Sequence, residues 1–480
     1  MAAVAKIVEH QLWTAAEADA ATEGYSTQPW RASGVSIDSR TIAPGDLFIA
    51  IEGPKFDGHE FVTEALDRGA AVAMVSRIPP NLVADAALLI VGNTFTGLNN
   101  LARTARRRAQ AHVFAITGSV GKTGTKDMLK LALGHQGLTT ASAASLNNQW
   151  GVPLSLCRMP ADAAFGIFEI GMNHAGEITP LSKLVRPISA IVTTVTGTHM
   201  AHFASVDGIA AAKAEIFTGM DGGNAILNRD NRFFPMLSAA ARDAGVARII
   251  SFGADDDADV RLIDCTAADG ASLVTAEIDG HGLDYRLGAL GRHWALNSLA
   301  VLAAVAAAGA DIDAAAAALA SMTTPKGRGA EHQVPLNGGS FTLFDDSYNA
   351  SPASMEAAFA LLATATPGEG GRRIAILGDM LELGADSKQL HAALAEGLVA
   401  AGIDLVCTAG DHMINLDDAL PRRMRGGHGC SVDRLLALVR NLIGPGDVVL
   451  VKGSQGSRMG LIVDDLLSAA DAPKPAVNDI

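Results

Sequence analysis

The stretch ITGSVGKTGT occupies residues 116–125. It continues an apolar run that begins at residue 113 and precedes residues 126–133, whose pattern predicts a helix. A glycine-rich turn between a strand and a helix lets backbone N–H groups surround phosphate oxygens, and the helix N-terminus favours an anion. The stretch therefore predicts an α/β fold with a phosphate-binding loop at the end of a buried strand.

Two side chains of this loop have distinct expected roles. Lys122 would contact the β- and γ-phosphates of a nucleotide, and the Thr123 hydroxyl would bind Mg²⁺. The spacing departs from the common pattern, because only two residues separate the first two glycines. The alternative is a strand-to-helix turn without a ligand. The residues predicted to bind the nucleotide here are Gly118, Ser119, Val120, Gly121, Lys122, Thr123 and Gly124.

Length and composition bound the class of protein. At about 150 residues per domain, 480 residues predict about three domains. The chain is 49% hydrophobic and 18% charged, which is typical of a globular protein and excludes general disorder. With 37 basic and 51 acidic residues the net charge is −14. This balance argues against nucleic acid or an anionic membrane surface as a partner, although a local basic pocket for a nucleotide remains compatible with it.

Cysteine usage and hydropathy indicate the compartment. The four cysteines are far apart and form no CxxC pair, which argues against a disulfide framework and a cysteine zinc site. The first twenty residues carry acidic side chains where a signal peptide would be apolar. No window offers about 18 uncharged, strongly apolar residues. We therefore expect a cytoplasmic protein without membrane insertion.

The order of apolar runs predicts three α/β units. Residues 34–78 suggest a small unit of strand, strand, helix and strand, and strands alternate with helices from about residue 112. A third unit begins after residues 324–327. We predict domains at 1–88, 89–324 and 325–480, the second a mostly parallel, doubly wound sheet and the third Rossmann-like. Polar groups follow several strands of the last two units, which predicts a shared cleft between them.

Glu169 and Lys213 are charged residues in apolar patterns. Glu169 ends an apolar strand, and a buried carboxylate is costly unless it is paired or binds a metal. Mg²⁺ is the expected partner beside a phosphate loop, and an arginine is the alternative. Lys213 lies on the apolar face of a helix predicted at 206–218, with Gly219 as its stop. It either extends its amine to solvent or is uncharged, and an uncharged amine could add CO₂ to give a metal-binding carbamate.

Other polar residues carry weaker signals. His199, in THMAHFAS, is typical of a surface loop unless other evidence makes it a ligand. His293 and Asn297 share a helix face, and a plain first helical turn is the alternative. Arg328 follows the second unit and suits phosphate, whereas Asp346 at a strand end suits ribose hydroxyls.

Taken in order, the motifs resemble the Mur ligases, ATP-dependent amide-forming enzymes of bacterial cell-wall precursor synthesis. The resemblance covers about residues 30–460. Its N-terminal part, around DSR at 38–40 and FDGHEF at 56–61, is similar to the uridine-nucleotide-binding domain of the family. The later matching motifs are TGSVGKTGTK, the asparagine pair at 147–148, EIGMNHAGEI, AAKAEIF, GRHWALN, DDSYNASPASM, LGDMLELG and VKGS.

The resemblance implies roles for individual residues. Lys122 and Thr123 would hold ATP and magnesium, and Glu169 would bind the first of two Mg²⁺ ions. The second ion would be bound by His199 and a carbamylated Lys213. The remaining implied roles are Asn148 near the acyl group, His293 and Asn297 near adenine, Arg328 near the phosphates, Asp346 near the ribose, and Ser39, Arg40 and His59 toward the UDP end.

The resemblance also implies a reaction. The motifs match the family member that joins D-alanyl-D-alanine to UDP-N-acetylmuramoyl-tripeptide through an acyl phosphate, completing the UDP-linked pentapeptide. The ligase that forms the tripeptide is the alternative within the family, but the Asp-Asn-Pro-Arg signature typical of its diaminopimelate-adding form is not in this sequence. A folylpolyglutamate synthase would lack the first domain. A nucleotide-gated switch would not explain Lys213.

Overall fold

A computed structural model describes residues 11–471 except Asn81, Ala84 and His199. The described part contains four sheets with helices packed on them. The prediction of an α/β fold with mostly parallel sheets is confirmed. None of its described helices combines the length and apolarity that crossing a bilayer requires.

The N-terminal unit is built on a small, mostly parallel sheet in the order β2-β7-β6-β5-β4, in which only β2 runs antiparallel to its neighbour. β5 and β6 are buried along their whole length, as expected for inner strands of a covered sheet. A separate ribbon pairs β1 with β3. The strands are β1 (Trp13–Thr14), β2 (Tyr25–Ser26), β3 (Arg31–Ala32), β4 (Gly34–Ser36), β5 (Asp46–Ile49), β6 (Val72–Val75) and β7 (Leu88–Ile90), with helices α1 (Ala15–Thr22) and α2 (Val62–Asp67) and 3₁₀ turns Ser39–Thr41 and Gly58–Phe61.

The middle unit has a nine-stranded sheet in the order β16-β15-β14-β13-β12-β11-β8-β10-β9. The phosphate loop follows its inner strand β8. The strands are β8 (His112–Thr117), β9 (Thr139–Ala141), β10 (Phe165–Glu169), β11 (Ser189–Val192), β12 (Asn224–Asn228), β13 (Arg248–Gly253), β14 (Val260–Ala268), β15 (Ala271–Ile278) and β16 (His281–Leu287). The helices are α3 (Thr94–Arg108), α4 (Lys122–Gly134), α5 (Gly151–Cys157), α6 (Ile178–Val185), α7 (Val206–Ala214), α8 (Phe234–Asp243), α9 (Arg292–Ala307) and α10 (Ile312–Leu319), with 3₁₀ turns Met200–His202 and Glu215–Gly219.

The last three strands of this sheet form an antiparallel meander that the sequence analysis missed. Each turn is an Asp-Gly pair with positive φ at both residues, Asp269-Gly270 and Asp279-Gly280. Such pairs favour the tight turns of β-hairpins, because aspartate and glycine tolerate left-handed backbone conformations. These two Asp-Gly pairs are visible in the sequence and could have predicted the hairpins.

The C-terminal unit has a six-stranded sheet in the order β17-β18-β22-β19-β20-β21, parallel except for β17. Pro335 is tolerated in β17 because this strand lies at the edge. The strands are β17 (Ala330–Leu336), β18 (Gly339–Asp346), β19 (Arg373–Gly378), β20 (Leu405–Ala409), β21 (Arg425–Gly429) and β22 (Val448–Lys452). The helices are α11 (Pro352–Thr364), α12 (Ser387–Ala400), α13 (Ile414–Ala419), α14 (Val432–Val439) and α15 (Gly460–Asp471), with 3₁₀ turns Gly384–Asp386, Arg422–Met424 and Gln455–Ser457.

The three main sheets span residues 25–90, 112–287 and 330–452. The first sheet thus continues two residues past the expected boundary at 88. The boundaries at 88 and 324 stay predictions.

The helix predicted at 206–218 is shorter than expected. It ends at Ala214 and continues as the 3₁₀ turn Glu215–Gly219. Gly219, the predicted stop, is the last residue of this turn. A Cβ atom there would lie 2.1 Å from the carbonyl oxygen of Ser182, so the close approach of α6 requires glycine at this position.

The helix that follows the phosphate loop packs closely on α9. A Cβ atom at Gly124 in α4 would lie 2.4 Å from the Trp294 ring. We predict that Gly124→Ala lowers the free energy of unfolding by about 1–3 kcal/mol through overpacking. Gly134→Ala is the matched control in the same helix, because a Cβ atom there meets nothing within 4 Å. Thermal unfolding that ranks the two variants equally would contradict this packing.

Candidate active site

The phosphate loop is shaped by two glycines with positive φ. A Cβ atom at Gly118 would lie 1.9 Å from Oγ1 of Thr193, and this hydroxyl donates a 2.6 Å hydrogen bond to the carbonyl of Val120. A Cβ atom at Gly121 would lie 2.8 Å from Nδ2 of Asn297. The glycines therefore let Thr193, just after β11, and Asn297 of α9 approach the loop backbone.

Lys122 opens α4 and folds back over the loop. Its Nζ donates a 2.7 Å hydrogen bond to the carbonyl of Gly118. Burial lowers the pKa of Lys122, Glu169 opposes this shift and Arg328 adds to it. The ammonium group is thus placed above the loop with a second cation nearby, an arrangement suited to a polyphosphate.

Glu169 ends β10 next to the phosphate loop, because β10 pairs in parallel with β8. Its side chain is only 1% exposed. Oε2 accepts a 2.8 Å hydrogen bond from the Thr123 hydroxyl, and Oε1 accepts a 2.7 Å bond from the Asn147 amide. The arginine alternative is not observed among the described residues. A buried carboxylate with neutral donors and a neighbouring hydroxyl is an oxygen-ligand set that fits Mg²⁺.

The two asparagines at 147–148 point to different partners. Asn147 holds Glu169 and lines the cavity described below. The Asn148 side chain accepts hydrogen bonds from the backbone N–H groups of Trp150 (3.1 Å) and Gly151 (3.0 Å) at the start of α5. Asn148 was the predicted site residue and Asn147 was not. Two adjacent asparagines in a loop look alike in sequence, so the sequence does not indicate which of them faces Glu169.

The C-terminal unit supplies charged groups that face the loop. The Arg328 guanidinium lies over the ring of Tyr348, 4.1 Å from the ring centroid. Lys452, at the end of β22, donates a 2.7 Å hydrogen bond to Asp346 and a 2.9 Å bond to the carbonyl of Asn349. Burial raises the pKa of Asp346, and Lys452 opposes this shift. The sequence indicated Lys452 only as part of the VKGS motif, although a lysine that ends an apolar strand is a usable signal.

These groups surround one cavity of about 710 Å³ between the middle and C-terminal units. The sequence-predicted residues that the structure brings together there are Ser119, Val120, Gly121, Lys122, Thr123, Gly124, Glu169, His293, Asn297, Arg328 and Asp346. The expected shared cleft is present.

Lys213 lies in α7 and is only 2% exposed. Burial, with a contribution from Lys122, lowers the pKa of Lys213 well below its usual value. Among the described residues its amine has no hydrogen-bond or ion-pair partner. An extended, solvated amine is therefore not what the structure shows, since burial disfavours the charged form of this side chain. His199, the other predicted ligand of a second metal, lies outside the described residues.

The residues assigned to the UDP end lie in the N-terminal unit, after β4 and β5. Ser39 donates a 3.2 Å hydrogen bond to Glu64, and Arg40 forms a two-pronged bond with Asp38 at 2.9 and 2.7 Å. His59 is buried, which lowers its pKa.

The His59 ring is fully engaged within its own domain. Nδ1 bonds Asp57 at 2.7 Å, and Nε2 accepts the Ser76 N–H at 3.0 Å. It supports the loop conformation, whereas Arg40 is exposed and accessible.

Comparison with models of known protein families shows to which family the chain belongs. Three family models match it in order: "Mur ligase family, catalytic domain" at residues 31–110, "Mur ligase middle domain" at 116–305, and "Mur ligase, glutamate ligase domain" at 332–455. The chain belongs to the Mur ligase family. As a Mur ligase it is an ATP-dependent enzyme that forms amide bonds.

Relatives of this Mur ligase carry a more specific name. The chain is 36% identical over 434 residues to the UDP-N-acetylmuramoyl-tripeptide–D-alanyl-D-alanine ligase of Escherichia coli, covering 89% of this chain and 92% of that protein. A crystal structure of MurF from Acinetobacter baumannii matches with a TM-score of 0.82 at 30% identity, covering 95% and 99% of the two chains. MurF ligase from Thermotoga maritima in complex with ADP matches with a TM-score of 0.75 at 25% identity, covering 91% and 98%.

Because Gly118 lies directly against Thr193, adding one methyl group at Gly118 should weaken nucleotide binding by this Mur ligase. We expect Gly118→Ala to displace the loop and to lower ADP affinity at least tenfold, measured by isothermal titration calorimetry, because any side chain at this φ is strained and this one also clashes. Gly92→Ala is the control, since a Cβ atom there meets nothing within 4 Å. Unchanged ADP affinity in Gly118→Ala would show that the loop does not need this close approach.

Proposed function

We propose that this chain adds D-alanyl-D-alanine to UDP-N-acetylmuramoyl-tripeptide with cleavage of ATP to ADP and phosphate, forming the UDP-linked pentapeptide of peptidoglycan synthesis in the cytoplasm. We infer the two substrates from the names of the relatives of this chain. One arrangement carries the chemistry: the phosphate loop with Lys122 faces Arg328 of the C-terminal unit across a single cavity. Lys122 and Arg328 can contact the same phosphate chain from opposite sides, and their positive charge would stabilise the transfer of a γ-phosphoryl group.

The proposed reaction has two steps. A carboxylate is a poor acyl donor, so an oxygen of the tripeptide carboxylate first attacks the γ-phosphorus and ADP leaves. The amine of D-alanyl-D-alanine then attacks the acyl carbon, and phosphate leaves as the amide forms. Neither step needs a covalent bond to the protein; positioning and charge neutralisation are its tasks.

We assign the nucleotide to residues on both walls. Lys122 and Arg328 would neutralise charge on the phosphates, Asp346 would meet the ribose, and His293 and Asn297 would lie near adenine. Enclosure between two units would keep water from the acyl phosphate.

We assign the other substrate to the N-terminal unit and to one loop of the middle unit. Asn148 would contact the acyl group after a rearrangement of the loop, since its side chain accepts hydrogen bonds from the backbone of Trp150 and Gly151. Ser39, Arg40 and His59 would form and support the surface for UDP. Residues 1–88, 89–324 and 325–480 would then be the UDP, ATP and closing domains.

We propose two Mg²⁺ ions. Thr123 and Glu169 would hold the first, and His199 with a carbamylated Lys213 would hold the second. Held by these residues, the two ions would stabilise negative charge on the phosphoryl oxygens. The lowered pKa of Lys213 supports the carbamate, because it favours the free amine, whose electron pair adds to CO₂.

The decisive assay measures phosphate release and product mass with purified enzyme. We expect release to require ATP, the UDP-tripeptide and D-alanyl-D-alanine together, to stop in EDTA, and to fail in Lys122→Met. ATP turnover that does not depend on D-alanyl-D-alanine would contradict the proposal. Turnover with the UDP-dipeptide and a diamino acid instead would identify the tripeptide-forming reaction.

The carbamate has its own test. We expect activity to fall at least tenfold in buffer freed of CO₂ and to return on adding bicarbonate. Lys213→Arg should be inactive and insensitive to bicarbonate, because a guanidinium keeps its proton at any working pH. Because burial lowers the pKa of Lys213, recovery should need less alkaline buffer than carbamylation of an ordinary lysine. Full wild-type activity without CO₂ would exclude a functional carbamate.

A further inference from the structure

Tyr348 connects the two walls of the cavity. It follows β18 in the C-terminal unit, and its hydroxyl donates a 3.1 Å hydrogen bond to Oγ of Ser145 in the middle unit. Its ring supports the Arg328 guanidinium. Its backbone N–H donates a 2.9 Å bond to the carbonyl of Gly327, whose φ is +77°. A single side chain thus contacts the middle unit and also packs against Arg328, the residue proposed to meet the phosphates.

Ser145 belongs to a loop, residues 143–148, that is held firmly on its other side. Lys126 of α4 is only 2% exposed and donates a 2.9 Å hydrogen bond to the carbonyl of Ala144. Ala144 has a left-handed backbone with φ +45°, a strained conformation for a non-glycine residue. Lys126 also pairs with Asp127 at 3.1 Å, so a buried, ion-paired lysine holds the backbone of this loop at Ala144.

The same loop carries Asn147 two residues later. The Asn147 N–H donates a 2.8 Å bond to the carbonyl of Ser145, and its carbonyl accepts a 2.8 Å bond from Gly171. Its side chain holds Glu169. A displacement of Ser145 therefore acts on Asn147 through a short, hydrogen-bonded segment.

We propose that Tyr348 is a positioning residue that couples seating of the C-terminal unit to the placement of Glu169, through Ser145 and Asn147. When the unit is seated, the same side chain sets Arg328 over the phosphates and fixes the loop that orients the carboxylate. Phosphoryl transfer would then be supported only when both walls are in place. This inference rests on the proposed function, since it assigns a role within that reaction.

The test is a double-mutant cycle. Tyr348→Phe keeps the ring under Arg328 and removes only the hydroxyl, and Ser145→Ala removes the acceptor. We expect each to lower kcat about three- to tenfold, the value of one neutral hydrogen bond, while KM for ATP changes less than twofold. The double variant should be no slower than either single variant. Tyr348→Leu should in addition raise KM for ATP, because it removes the support of Arg328.

Tyr285→Phe is the matched control. Its hydroxyl also bonds a serine, Ser298, but both residues lie in the core of the middle unit. We expect this variant to lower Tm and to leave kcat within twofold of wild type. If Tyr348→Phe behaves in the same way, with lower Tm and wild-type kcat, its role is structural and the inference is wrong.

A second measurement does not depend on turnover. Small-angle scattering should show compaction of the wild-type enzyme on adding a non-hydrolysable ATP analogue, and less compaction in Tyr348→Phe and Ser145→Ala. Equal compaction and equal kcat in all three proteins would overturn the coupling. If the wild type lacks D-alanyl-D-alanine-dependent phosphate release but compacts as described, the proposed function fails and the coupling of the two units stands.

Discussion

The burial of Glu169 is the constraint on which the active site depends. Its carboxylate lies at the end of an inner strand, with 1% of its surface exposed, and it accepts hydrogen bonds only from uncharged donors among the described residues. Removing an ionised carboxylate from water costs several kcal/mol unless a cation meets it. Lys122 lies near enough to interact with Glu169, and a metal cation on the cavity side would offset more of this cost.

Three neighbouring segments keep Glu169 in this state. Parallel pairing of β10 with β8 places it beside the start of α4, so that Thr123 reaches one oxygen. The loop before α5 brings Asn147 to the other oxygen. Because the loop is also bonded to Tyr348, the environment of a strand-end carboxylate in one unit depends on the seating of another. The cavity is thus a property of the two units together and not of either sheet.

Sequence patterns predicted the structural features that are determined by residues close together in the chain. The phosphate loop, the buried strands and the lysine on the apolar face of α7 follow from local order and periodicity. The missed features depend on distant partners: Lys452 meets Asp346 from 106 positions away, and the choice between Asn147 and Asn148 is made by the direction in which each points. The hairpins after residue 268 are different, because their Asp-Gly turns were readable and only the expectation of a parallel sheet obscured them.

The net charge of −14 would oppose the binding of anionic ligands only if charge acted over the whole surface. At physiological ionic strength, exposed charges are largely screened beyond about 8 Å, so binding depends on cations inside the cavity. Lys452 is already committed to Asp346, whereas Lys122 and Arg328 lie close enough for Arg328 to lower the pKa of Lys122. Two cations held near each other repel, and a phosphate chain between them removes that repulsion. The site is therefore organised for a polyanion before one arrives, and the acidic surface does not oppose its binding.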